Sequence, residues 1–260
     1  MISFREKNGY EIEGCWMPRV TAITSVVSKP GLSRYYEEFP DATSAELSLA
    51  KSADWGILTH LTLQKIISGE KKKVDSKIVP SVRAFLKWQK EHSLTVLNPA
   101  EDIERRVVDR DSLYAGTIDL LAEIDGTRGI VDIKTSSGIW EEYSLQTAAY
   151  LNAYHKTIGQ TLFHHSLPLS EKRWILRVDQ HEECMGCLAK KRTKDGRHRV
   201  QGGKRTCNHQ WSAPTAEIEF KELTGYRQDL EAFLAAKELW EWYHKKSLKK
   251  ISNYPKHNRL

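Results

Sequence analysis

No stretch of the sequence approaches the roughly 18 uninterrupted apolar residues that a membrane-spanning helix needs. The opening MISFREKNGYEIEG carries no apolar h-region, so a secretory signal is not expected and the implied location is cytoplasmic. Cysteine is scarce, four in 260 residues, which excludes a disulfide-built scaffold. Internal repeats are missing, as are a Walker-type glycine-rich loop and a kinase motif set, so the chain is not expected to consume ATP by itself. Composition excludes wholesale disorder, since 40% of residues are apolar and 28% charged. The length suffices to bury a core, and one domain over residues 1–260 is expected.

What is present is unevenly placed. Net charge is +6, yet residues 181–211 alone are net +5, residues 237–260 are again net +5, and the remaining chain is net −4. Clustered positive charge suits a polyanion such as nucleic acid, although basic loops and tails also serve solubility. Three of the four cysteines crowd into residues 184–207, as a metal cluster or a redox pair would require.

Along the chain, residues 3–14 read as a short strand pair turning at Asn8-Gly9. The stretch from Thr21 to Phe39 reads as helix broken near Pro30-Gly31, and residues 42–68 as a long helix with Ser44 as cap. Residues 70–77 form a charged link, and residues 80–92 a helix with Val82, Phe85 and Leu86 on one face. Residues 103–109, 115–124 and 128–135 then read as three successive strands, the last two joined through Asp125-Gly126. A helix over 141–158 follows, then strands at 173–179 and 216–223 as two arms of one hairpin, then a helix over 226–246. Between the hairpin arms lies a basic insert, residues 180–212, and residues 247–260 make a basic tail. Helices, a sheet, a helix and further strands describe an α/β or α+β domain.

The segment GTIDLLAEIDGTRGIVDIKTS, residues 116–136, lodges two acids and a lysine among strand-forming apolar residues. Burying charge is costly unless it is paired or holds a metal. In GIVDIKT, alternation puts Asp132 and Lys134 on one face and Val131 and Ile133 on the other. The Asp125-Gly126 turn returns the preceding strand antiparallel, within about two rungs for Asp119. Two carboxylates beside an ammonium make a site for a hard cation such as magnesium or manganese. The bland alternative is an Asp–Lys salt bridge on a half-exposed sheet.

The order of motifs resembles the RecB-type branch of the PD-(D/E)xK nucleases. It rests on Gly116-x-x-Asp119, Asp132-Ile133-Lys134-Thr135 and Gln146-x-x-x-Tyr150, with Trp55-Gly56-Ile57-Leu58-Thr59-His60 upstream. The opening P-R-V-T-A-I-T-S-V-V is similar to the start of phage members and of the mitochondrial genome maintenance exonuclease. The resemblance implies a restriction-endonuclease-like mixed central sheet flanked by helices, with His60, Asp119 and Asp132 as magnesium or manganese ligands. It makes the carbonyl of Ile133 a further ligand, sets Lys134 on the attacking water or the transition state, and has Gln146 and Tyr150 support the site or touch the backbone of the nucleic acid. Glu104 stands where relatives carry an additional acid; with Arg105 and Arg106 it also reads as a plain ion-pair strand. Tyr150 equally reads as core packing. The activity implied is a deoxyribonuclease, by preference an exonuclease on single- or double-stranded DNA ends in recombination, repair or phage DNA processing. An endonuclease or RNase of the same fold, or a non-catalytic nucleic-acid-binding module, are the alternatives. No membrane is implied, and recombination or replication protein partners are left unassigned.

Within the insert, Cys184-x-x-Cys187 and Cys207-x-His209 supply a Cys3His set that reads as structural zinc. A loop without its own core would be ordered by such a metal. Lys190, Lys191, Arg192, Arg197, Arg199, Lys204 and Arg205 then become a basic finger for phosphates. The CRISPR-associated RecB-like exonucleases suggest a rival, an iron–sulfur cluster held by Cys15 with Cys184, Cys187 and Cys207. An insert without metal is the third reading.

Overall fold

A computed structural model describes residues 3–27, 35–70, 73–159, 172–194 and 198–255. The proposed break at Pro30-Gly31, Arg197 and residues 256–260 of the basic tail lie outside the described residues.

The chain opens with a short helix, α1 (Phe4–Asn8), where a strand is expected. Ser3 and Glu6 form a reciprocal capping box that satisfies backbone N–H groups at its start, and this local signal outweighs strand propensity. Strands β1 (Gly9–Ile12) and β2 (Cys15–Pro18) pair antiparallel, so the turn is Glu13-Gly14, both at positive φ, and not Asn8-Gly9. Gly9 serves packing instead, because a Cβ there would lie 2.3 Å from the Trp16 ring.

After α2 (Val20–Ile23) comes the long helix α3 (Ala42–Ile67). Its cap is Asp41 and not Ser44: the Asp41 carboxylate accepts from the Ser44 N–H at 2.8 Å and from its hydroxyl at 2.7 Å. Helices α4 (Val79–Glu91) and α5 (Pro99–Asp102) lead into a meander of β3 (Ile103–Asp109), β4 (Tyr114–Ile124) and β5 (Thr127–Lys134). Asp125 and Gly126 take positive φ between β4 and β5, the backbone of a two-residue hairpin turn.

Helix α6 (Glu141–Gly159) follows, and β6 (Lys172–Glu183) runs parallel to β5, with Lys134 opposite Arg177. Strands β7 (Lys190–Arg192) and β8 (Arg199–Gln201) extend from the far end of β6, while β9 (Thr215–Glu222) pairs antiparallel along its length. Helix α7 (Tyr226–Leu248) closes the described fold. The result is mixed α/β, with a seven-stranded mixed sheet between helices.

One core packs Val20, Ile118, Ile130, Tyr150, Tyr154, Phe233 and Trp240 around α2, α6 and α7. The other packs Trp55, Leu63, Phe85, Leu120, Val131, Ile133 and Leu176 around α3 and α4. Ile118 and Leu120 are two residues apart in β4 yet join different cores. The strand therefore turns over at Asp119, where its ladder with β5 ends at Leu120 opposite Val131. No helix among the described residues is long and apolar enough to cross a membrane.

Candidate functional site

Asp119 sits at the turnover of β4, and its Oδ2 accepts the Ile133 N–H at 2.7 Å, a donor the ladder no longer engages. The observed contact of Ile133 with the site is thus its N–H. From α3, His60 places Nε2 2.8 Å from the same Asp119 oxygen. Glu104 lies opposite Asp119 on β3 and takes φ +55, rare for a residue with a side chain. Its carboxylate comes 3.8 Å from His60 Nδ1 and accepts from Gln64, one turn beyond His60 on α3. His60, Glu104 and Asp119 thus present ligand atoms within 4.8 Å of one another. Glu104 belongs with the site rather than with a plain ion-pair strand.

Asp132 is buried on the α6 side of β5. Gln146 donates to its Oδ1 at 2.9 Å and to the Tyr150 hydroxyl at 3.1 Å. Its Oδ2 lies 2.7 Å from Lys134 Nζ, yet makes no hydrogen bond of acceptable geometry. Lys134 stands 4.9 Å from the centre of the Tyr143 ring. The Tyr150 ring belongs to the core while its hydroxyl accepts from Gln146.

The electrostatics follow from this crowding. Burial lifts the Asp132 carboxyl to a pKa of about 6, with the Asp119 charge adding to it against the pull of Lys134. Burial would also raise Asp119, but His60, Lys134 and the Ile133 N–H hold it below the ordinary carboxylate value. For Lys134, burial acts to release the proton and the Asp132 and Asp119 charges outweigh it, so its pKa rises and the ammonium persists. His60 behaves likewise: Asp119, Glu104 and Asp132 outweigh burial and raise its pKa. The imidazole of His60 and the carboxylates of Glu104 and Asp119 make a donor set for a divalent cation such as magnesium or manganese, and Asp132 stands outside that close group, paired with Lys134. These residues could hold one.

The insert brings its four expected ligands together. Cys184, Cys187, Cys207 and His209 offer ligand atoms within 4.8 Å of one another. Cys184 Sγ and Cys207 Sγ are 3.8 Å apart, and Cys187 Sγ and His209 Nδ1 3.4 Å. Tetrahedral bonds of about 2.3 Å to sulfur and 2.1 Å to nitrogen separate such atoms by about 3.8 and 3.6 Å, so the group could hold a metal. Cys15 is no part of it; it packs beside Met17, Leu113 and Ala115, and His209 takes the place the iron–sulfur reading gave it.

The basic finger is only partly available. Arg192 is buried in a two-pronged pair with Asp179 at 2.6 and 2.5 Å, which corrects its reading as a phosphate contact. Lys190 pairs with Glu217 at 2.6 Å, and Lys191 with Glu182 at 2.6 Å. Lys204 and Arg205 are exposed and Arg199 half-buried.

Sequence reasoning missed Gln64, Tyr143 and Lys194. Gln64 had a signal, its i+4 spacing from His60. Lys194 had none: it leaves the insert to lie 5.6 Å from the Trp55 ring on α3, and burial lowers its pKa to about 8. No family model and no curated protein matches the chain.

Proposed function

We propose that the protein is a metal-dependent deoxyribonuclease, a RecB-type PD-(D/E)xK enzyme with a restriction-endonuclease-like core, acting at DNA ends as an exonuclease. The observation that carries this reading is the cluster of His60, Glu104 and Asp119, whose ligand atoms lie within 4.8 Å of one another, together with the buried Asp132 paired to Lys134. His60, Asp119 and Asp132, with Glu104 at the rim, would hold magnesium or manganese. Such an ion supplies an acidified water and stabilises charge developing on a phosphodiester.

The chain's own residues divide the remaining work. Gln146 fixes the Asp132 carboxylate through Oδ1, while Oδ2 faces the Lys134 ammonium. Lys134, paired with Asp132, orients the attacking water and meets the negative charge growing on the phosphate. The insert, with zinc on Cys184, Cys187, Cys207 and His209, brings Arg199, Lys204 and Arg205 as sequence-neutral phosphate contacts.

End-labelled single- and double-stranded DNA, with closed circles as control, tests this in magnesium or manganese. The protein should degrade the linear substrates and spare the circles. Asp132→Asn and Lys134→Ala should each lower cleavage by about two orders of magnitude or more while the circular-dichroism spectrum is kept. Undiminished cleavage by both variants overturns the proposal. Cut circles convert it to an endonuclease, and DNA binding without degradation to a binding module.

A further inference from the structure

We propose a third metal site at the stem of the insert, formed by His181, Glu183 and Glu217 and taking zinc or manganese. It is independent of the nuclease reading. His181 lies in β6 and is 2% exposed. Its Nδ1 is 3.1 Å from the Asp179 carbonyl oxygen, which can only accept, so the ring proton is on Nδ1. In the neutral ring the lone pair is then on Nε2, which is buried and has no hydrogen-bond partner among the described residues. A backbone carbonyl that fixes one ring nitrogen and turns the other outward is the usual arrangement behind a metal-ligating histidine.

What the lone pair faces is acidic. Alternation along β6 puts His181 and Glu183 on one face, and the pairing of Asp179 with Glu217 brings Glu217 diagonally beside them. Glu217 Oε1 stands 3.8 Å from His181 Nε2, and the three residues offer ligand atoms within 4.8 Å of one another. Two atoms each about 2.1 Å from an ion lie at most about 4.2 Å apart, so His181 and Glu217 already span one. Rotation of the half-exposed Glu183 side chain completes the set. Lys190 holds the other Glu217 oxygen at 2.6 Å and so orients the carboxylate without occupying Oε1. One neutral imidazole with two carboxylates suits zinc or manganese better than calcium, which takes oxygen donors alone. Glu183 precedes Cys184, so an ion here ties β6 and β9 to the root of the insert.

The test is metal stoichiometry on the full chain, stripped by chelator, re-equilibrated with zinc at neutral pH and analysed by elemental mass spectrometry. His181→Gln should hold one equivalent fewer than the parent. The separate loss caused by Cys207→Ser should persist in the His181→Gln background, which distinguishes this site from the Cys3His group. Glu217→Gln, altered at a half-exposed side chain, should weaken the same equivalent at least about tenfold in a competitive titration against a chromophoric chelator, and it stands in should His181→Gln fail to fold. Parental zinc content in folded His181→Gln, or parental content and affinity in Glu217→Gln, overturns the proposal and leaves a single water as the partner of Nε2.

Discussion

Gly116 shows how one residue couples two parts of the candidate site. A Cβ at this position would lie 2.3 Å from Tyr150 Cε1 and 2.7 Å from Cδ1, closer than any real contact. The glycine three residues before Asp119 therefore exists to admit the tyrosine ring, whose hydroxyl receives Gln146 in line with Asp132. Gly116→Ala should cost about 1–3 kcal/mol of stability, the range for forcing extra volume into a packed interior. Tyr150→Leu should recover part of that cost in the double variant, whereas thermal unfolding that shows simple additivity would refute the coupling. At this scale the sequence is informative about identity and weak about contact. Asp119, Asp132 and Lys134 are legible because alternation and one tight turn are local signals, whereas His60, Gln146 and Tyr150 are marked only by the family resemblance. The φ +55 of Glu104 and the reach of Gln64 to its carboxylate are not legible, because they depend on how far α3 stands from β3.

Among the elements, α3 carries the most consequence, since His60 and Gln64 both ride on it. Gly56 lets it approach the end of β5, where an added Cβ would meet Thr135 Oγ1 at 2.9 Å. Its N-terminus depends on Asp41, whose pKa is lowered by the Ser44 N–H and hydroxyl. Because the folded pKa lies below the unfolded value of 3.8, the unfolded chain binds more protons between the two. The contribution is complete above that value and disappears as pH falls through the folded pKa. Asp41→Ala should lower Tm by roughly 2–4 °C at neutral pH, with the gap to the parent closing below about pH 4. A gap unchanged at low pH would show that the carboxylate charge plays no part, and Asp41→Ser should restore much of the loss. The helix itself is legible in the sequence to within a residue, but its cap is not. Asp41 and Ser44 are both capping residue types, and only the chain path before Ala42 decides between them.

For the whole molecule, the meander β3–β5 is legible nearly to the residue because alternation and an Asp-Gly turn are short-range signals. The switch of β4 from one core to the other is not, because it exists only once α3 and α6 occupy opposite faces of the sheet. Those two cores are built without any residue of the segment 184–211. The insert must therefore draw its order from the Cys3His group and from the Arg192–Asp179 anchor. Removing metal with a strong chelator, or replacing Cys207 with Ser, should leave the body folded while the insert loosens. Hydrogen exchange should read this as protection lost across 184–211 and kept in β4, β5 and α7. Because Lys194 reaches from the insert to Trp55 on α3, exchange around the middle of that helix should rise as well. Protection unchanged in 184–211 would mean that ion pairs alone order the insert, and collapse of every element together would make it part of the body's cooperative unit rather than a metal-ordered appendage.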